Sequence, residues 1–305
     1  MIQSDVLLHI GYHKTGTTFL QKRFFPFLAA NLLIMPDVSY IATSEQYDPN
    51  DFIQLLTKQL KTNIHSLTIL SQETLSGRAD GNPIWDPHII AKRLRHTFPS
   101  AKILIVIRNQ FDYILSLYAF RVVRRGLEHR SLDQFLQLNH AQLRQKLQYD
   151  RLIGDYVRLF GREQVLVLPF EQLAANSFRF VTSLLNFIGY TQPVNYHNAG
   201  RENPSTRNGR LLQYNRLLNT PLSLAAEALQ KYEILSPQSY TFMANRYFYL
   251  KKKLLNPVLE RFLDGKFEPL AMPTDWQNQL YPIFQTSNHR LANLIGIGLQ
   301  SFNYP

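Results

Sequence analysis

A short apolar run, Asp5-Val6-Leu7-Leu8-His9-Ile10, passes without a break into Gly11-Tyr12-His13-Lys14-Thr15-Gly16-Thr17-Thr18. A run of this length, unalternating and bounded by glycine, suits a strand buried on both faces of a parallel sheet. A helical stripe follows in Phe19, Leu20, Arg23, Phe24 and Phe27, and Pro26 with the polar stretch beyond Pro36 marks its end. Three further runs, at residues 66–70, 102–107 and 164–168, also predict strands. Each precedes a helical pattern, at residues 86–97, 109–124 and 178–188. Strands alternating with helices in this way predict an α/β fold with a mainly parallel central sheet.

Beyond Gly189 the texture changes. Residues 190–208 are rich in Asn, Pro, Ser and Thr and predict a long loop. From Arg210 onward only helical patterns recur, with interruptions expected at Pro221, Pro237, Pro257, Pro269, Pro273 and Pro282. No linker forces a division, so the expectation is a single domain over residues 1–305, with a core at 4–210 and a helical C-terminal region at 211–305 packed on the same sheet. At 305 residues and 45% hydrophobic content the chain can bury a sizeable core, which excludes disorder and a disulfide-stapled miniprotein. The absence of cysteine excludes disulfides, zinc-thiolate sites, iron–sulfur clusters and a cysteine nucleophile. A net charge of +11 favours an anionic ligand, an acidic polymer or an anionic membrane surface. No segment reaches the roughly 18 apolar residues of a membrane span, and residues 6–10 are too few for a signal peptide, so a soluble, unprocessed, cytoplasmic chain is expected.

Between a strand and a helix, the segment from Gly11 to Thr18 sits where backbone amides and a helix dipole cradle anions. A Walker-type nucleotide loop would need lysine at position 17, yet Thr17 is there and the lysine stands at Lys14. Nor does any predicted strand end in an aspartate suited to magnesium. The strands lead instead into Ser71-Gln72-Glu73, Arg108 and Pro169. His13-Lys14-Thr15-Gly16-Thr17-Thr18 after a strand resembles the 5'-phosphosulfate loop of sulfotransferases, enzymes that use 3'-phosphoadenosine 5'-phosphosulfate and release 3'-phosphoadenosine 5'-phosphate. The resemblance implies a P-loop-like central sheet flanked by helices and no metal. It also implies a lysine, Lys14, on the oxygen bridging phosphate and sulfate, with Thr15, Gly16, Thr17 and Thr18 around the 5'-phosphate. A fixed ammonium there would stabilise charge that grows in the transition state.

A second segment, from Lys102 to Tyr118, is similar to the family's 3'-phosphate motif. Arg108 leaves a strand end and Ser116 lies eight residues on in the following helix, so that guanidinium and hydroxyl would converge on one phosphate. Asn109-Gln110 stands where the family often has Asp-Pro. Val165-Leu166-Val167-Leu168-Pro169-Phe170-Glu171-Gln172-Leu173 resembles the strand and turn of these enzymes, and the helical pattern from Phe180 to Gly189 the helix that follows. Ser287-Asn288-His289-Arg290-Leu291-Ala292 and Phe302-Asn303-Tyr304 resemble the tail of bacterial glycan-type members.

An acceptor hydroxyl must lose its proton as sulfate arrives, so a base within hydrogen-bond reach is expected. Glu73, at the carboxyl end of a predicted strand, is the first candidate, and glycan-type members place a glutamate correspondingly. His13 is the second, although its place in the loop suits donation to a phosphate or sulfate oxygen. His88, His96, His129 and His140 read as helix-face residues. Between Lys92 and Arg130 nine Lys and Arg face two acids, either a positive rim for a polyanionic donor or a solvated helix face. The loop at 201–208 would close over the nucleotide through Arg207, with Arg201 behind it. In the stretch at 247–255, aromatics and Lys251-Lys252-Lys253 suit contact with an anionic membrane or lipid-linked acceptor, or a packed helix with a lysine-rich face. A glycan, a glycolipid and a small alcohol all remain open as acceptors. The competing readings are a nucleotide-dependent phosphotransferase and a noncatalytic polyanion binder. The second lacks any recognisable nucleic-acid module.

Overall fold

In the computed structural model the described residues are 5–61, 65–77, 85–125, 130–194, 209–231 and 268–305, with 246, 249, 253, 254, 258 and 261. Of 124–125 and 222–231 only the backbone is described. Five parallel strands form one sheet in the order β2-β3-β1-β4-β5: β1 Asp5–His9, β2 Ala30–Ile34, β3 Leu67–Ser71, β4 Lys102–Ile107 and β5 Val165–Pro169. Four of these coincide with the runs read from the sequence. The edge strand β2 was not expected there, because Asn31 interrupts its apolar pattern. That asparagine is buried, donates from Nδ2 to the His65 carbonyl at 2.6 Å and accepts the His65 amide at 3.1 Å, so its amide serves the sheet edge.

The helical stripe after the loop is short and irregular: α1 Thr17–Phe19, a π turn Leu20–Phe24 and a 3-10 turn Phe25–Phe27 that contains Pro26. α2 Ser39–Thr43 and α3 Pro49–Gln59 follow β2, and α4 Pro87–Thr97 starts on Asp86, whose carboxylate accepts the His88 amide at 2.8 Å. α5 Gln110–Phe120 continues into a π turn Arg121–Arg125. α6 Leu132–Leu147, α7 Tyr149–Phe160, α8 Phe170–Ala175 and α9 Ser177–Ile188 complete the α/β part. α10 Gly209–Lys231 and α11 Thr274–Ile295 run through Pro221 and Pro282, where interruptions were expected. Both prolines are exposed, so carbonyls that lose a helical partner there can turn to water. No helix among the described residues is long and apolar enough to cross a membrane.

The residues cluster into two compact units. One, built from 1–110, 144–202 and 281–305, holds the whole sheet. On one sheet face Leu7, Ile69, Leu104, Val106 and Leu168 pack against Leu20, Phe24 and Phe25 and against Phe180, Val181 and Leu184 of α9. On the other, α7 packs on β4 and β5 and α4 packs on α7, burying Ile90, Leu94, Ile153 and Tyr156. Burial on both faces is why the strands read as unbroken apolar runs. The other unit, 111–143 and 203–280, buries Phe135 against the Tyr118 ring and ties α10 to the π turn through Asn219 Nδ2, which donates to the Val122 carbonyl at 2.9 Å.

In this strand order the chain leaves β1 towards β2 and leaves β4 towards β5, so the loops after β1 and β4 diverge and open a crevice at the carboxyl edge. His9 lies beneath it, fully buried, with Nδ1 2.7 Å from Ser71 Oγ of β3. Burial lowers its pKa from 6.5 to about 4, against a smaller upward pull from Glu73. The unfolded chain therefore takes up a proton at His9 before the folded one does, and stability falls as pH drops through this window, by about 3 kcal/mol in full. Urea unfolding at pH 7 and pH 4.5 should show a steeper loss for the wild type than for His9→Gln. Equal losses would mean that His9 is not held neutral.

Candidate active site

Two left-handed residues shape the loop after β1, Lys14 at φ 66° and Gly16 at φ 84°. Alternating handedness of this kind turns successive amides towards one point and makes an anion-binding concavity. Contact also crowds a side chain at Gly16, since a Cβ there would lie 2.7 Å from Leu173 Cδ2 and 3.1 Å from the Phe170 ring, and both would have to shift. At Gly11 a Cβ would crowd His9 Nε2 and Thr17 Oγ1, both at 3.0 Å. The hydroxyl of buried Thr15 donates to the Tyr12 carbonyl at 2.5 Å and so braces the loop from within, whereas Thr18 is half-buried.

Glu73 opens a 3-10 turn, Glu73–Ser76, directly after β3. Three bonds pin this turn: the Gln72 amide to the His9 carbonyl at 3.2 Å, Gln72 Nε2 to the Pro36 carbonyl at 2.8 Å, and Ser76 Oγ to the Gly11 carbonyl at 3.1 Å. The result brings together two residues 60 positions apart, with His13 Nδ1 2.7 Å from Glu73 Oε2. Both side chains keep some contact with solvent, at 19% and 24%. Burial acts to raise the Glu73 pKa, but the hydrogen bond and charge of His13, the Thr17 hydroxyl and His9 outweigh it and hold the carboxyl below its usual range. His13 Nε2 is buried and meets no hydrogen-bond partner among the described residues, a polar atom suited to a ligand oxygen.

Arg108 follows β4 and is buried, with its guanidinium 4.8 Å over the Phe170 ring and Nη1 donating to the Lys14 carbonyl at 2.9 Å. Tyr149 donates its hydroxyl to the Arg108 carbonyl at 2.7 Å. The next residue is held by Glu171, which accepts the Asn109 amide at 2.9 Å on one oxygen and the Tyr304 hydroxyl at 2.9 Å on the other. Burial pushes the Glu171 carboxyl up, against opposing hydrogen bonds and the nearby Arg108. Burial beside Glu171 likewise lifts the Tyr304 phenol well above its ordinary value, so it stays a donor.

The sheet unit thus gathers the residues 13–18, Glu73 and Arg108 at one edge. Ser116 belongs to the other unit, in the second turn of α5. It is buried, and its hydroxyl finds no partner among the described residues. Arg201, Arg207 and His129 lie outside the described residues, as does most of the stretch at 247–255. Of that stretch, Lys253 Nζ sits 5.8 Å from the exposed Tyr249 ring centre. His88, in α4, pairs with Asp155 of α7. Sequence reasoning overlooked Lys146, whose ammonium donates to the Gly77 carbonyl at 2.8 Å beside the Tyr12 ring, and Tyr304 as a partner of Glu171. No motif marks either residue. Among the described residues no group of three or more His, Asp or Glu is placed to hold a metal ion.

The family model of the sulfotransferase domain matches residues 3–220, and the chain belongs to the sulfotransferase family. It is accordingly an enzyme of sulfuryl transfer. Among solved structures, a sulfotransferase from Alicyclobacillus acidocaldarius is similar with a TM-score of 0.51 at 19% identity, over 65% of this chain and 86% of that one. The mouse sulfotransferase SULT7A1 complexed with PAP gives 0.39 at 14% identity, over 63% and 61%. The sulfotransferase domain from the curacin biosynthetic pathway gives 0.40 at 13% identity, over 63% and 76%. At these identities the first likeness bears on the fold alone. No curated protein sequence matches the chain.

Since Tyr304 donates to a buried carboxylate, Tyr304→Phe leaves one Glu171 oxygen without its donor. Stability in urea should fall by about 1 to 3 kcal/mol, the cost of an unsatisfied buried group. A loss below experimental error would show that Tyr304 contributes packing alone.

Proposed function

We propose that this sulfotransferase moves the sulfuryl group of 3'-phosphoadenosine 5'-phosphosulfate to a hydroxyl or amine of a glycan, glycolipid or small-molecule acceptor, with no metal. The observation that carries the reading is the hydrogen bond from Arg108 to the Lys14 carbonyl. It joins the residue suited to the 3'-phosphate to the loop suited to the 5'-phosphosulfate. The buried, unpartnered Nε2 of His13 and the loop's two left-handed residues support an anion at the same edge. The donor supplies an activated sulfuryl group, and the chain supplies the rest. Amides and hydroxyls of Thr15, Gly16, Thr17 and Thr18 hold the 5'-phosphate, and Arg108 holds the 3'-phosphate, joined on sequence spacing by Ser116. Lys14 stabilises charge at the bridging oxygen, where it develops as sulfate leaves. Glu73 accepts the acceptor's proton, and its depressed pKa keeps it ionised near neutrality. Arg207, on sequence grounds, closes over the nucleotide. The net charge of +11 suits polyanionic donor and acidic acceptor alike.

Binding of 3'-phosphoadenosine 5'-phosphate should be measurable by calorimetry with chelator present. Arg108→Ala should weaken it by about 1.5 to 3 kcal/mol, the value of hydrogen bonds to a charged group. Unchanged affinity in the folded variant would remove Arg108 from the site. Lys14→Ala should reduce turnover far more than it reduces affinity for the desulfated nucleotide. Equal losses would mark uniform binding in place of transition-state stabilisation.

A further inference from the structure

Glu73 and His13 are each able to take a proton, yet the structure bonds them to one another. The contact is specific about atoms: imidazole Nδ1 lies 2.7 Å from Oε2. With Glu73 ionised, this nitrogen carries the hydrogen and donates it, because a carboxylate only accepts. Both ends are fixed from behind. His13 precedes left-handed Lys14 in a loop braced by Thr15, and the Glu73 turn is tied to His9, Gly11 and Pro36 through Gln72 and Ser76.

We propose that His13 is a positioning residue for Glu73: its Nδ1–H occupies Oε2 and sets the orientation of the carboxylate that receives the acceptor's proton. The idea rests on the assignment of Glu73 as base and adds the residue that aims it. An unrestrained glutamate would sample several rotamers, so one fixed bond raises the fraction of carboxylates in reacting geometry. The same bond lowers the carboxyl's pKa against the upward push of burial. The other groups that face the carboxyl are the Thr17 hydroxyl from the loop and neutral His9 from the end of β1, while Lys146 binds the Gly77 carbonyl just beyond the same turn. None of these supplies a second bond as direct as that from His13.

Side-chain amides separate this role from other uses of the ring. Asparagine places its NH₂ near the position of Nδ1, and glutamine places one near Nε2. At saturating donor, kcat should fall about 10- to 100-fold in His13→Ala and His13→Gln, the loss of one charge-assisted hydrogen bond, and His13→Asn should recover most of that loss, while Ala and Asn, which both lack Nε2, bind the donor more weakly than wild type. Because Glu73 has a depressed folded pKa, its ionised form is lost as pH falls through that value. In His13→Ala burial acts with less opposition, so the acidic limb of the kcat profile should move to higher pH, and His13→Asn, which returns the hydrogen bond without the charge of the imidazole, should reverse part of that move. The same shift should appear without donor or acceptor, in a carbon-13 NMR titration of the Glu73 carboxyl. An Asn variant whose kcat at saturating donor is as low as that of Ala, or a Gln variant whose kcat exceeds that of Asn, would overturn the proposal and assign the essential role to Nε2. An unmoved carboxyl titration in His13→Ala would overturn it as well. Glu73→Gln tests the underlying reading separately. A fall of about 10²- to 10⁴-fold with nucleotide affinity kept supports Glu73 as base, and near-normal turnover removes it whatever His13 does.

Discussion

The pairing that sets His9 of β1 opposite Ser71 of β3 is the constraint on which the carboxyl edge depends. Neighbouring strands lie about 4.8 Å apart, so two loops that leave them at one level start within side-chain reach of each other. Here the level is locked by His9 on Ser71, and Gln21 reaches the same serine hydroxyl at 3.0 Å. A slip of one residue would turn Leu7 and His9 to the opposite face and carry the Glu73 turn away from His13. Burial of His9 as a neutral ring is therefore part of the alignment, and the lowered pKa is its electrostatic signature.

From that level the loops brace one another. A buried guanidinium is tolerated only with partners, and Arg108 finds a carbonyl of the first loop and the face of Phe170. Phe170 and Leu173 in turn occupy the space that a side chain at position 16 would need. Glu171, between them, holds the residue after Arg108. Glycine, arginine, aromatic ring and carboxylate thus form one interlocked set, and substitutions within it should couple strongly instead of adding.

Much of this arrangement was legible because burial on two faces writes itself as unbroken apolar runs, which is how β1, β3, β4 and β5 could be read. The edge strand β2 escaped because Asn31 satisfies its amide against His65, a bond with no local signature. Pro221 and Pro282 misled for a related reason, since sequence shows the missing N–H but not the water-facing side of the helix that tolerates it. Residue types pointed separately to the phosphate loop, Arg108, Glu73 and His13. That Glu73 and His13 share a hydrogen bond could not be seen across 60 positions. Glu171 read only as part of a strand and turn, and its partners became visible only when β5 was set beside β4, which brings the Asn109 amide, and when Tyr304 was brought to the same edge.

The far end of the sequence bears on this edge too. Asn109 Nδ2 donates to the Asn303 carbonyl at 2.5 Å across 194 positions, and Tyr304 completes Glu171 nearby. Synthesis runs from the N-terminus, so the Arg108 turn leaves the ribosome well before residues 303 and 304 exist. Closing so long a loop costs only a few kcal/mol of chain entropy, but it cannot happen before residues 303 and 304 emerge. Completion of the turn is thereby timed to the emergence of residues 303 and 304, and shorter nascent chains lack the support that these residues give.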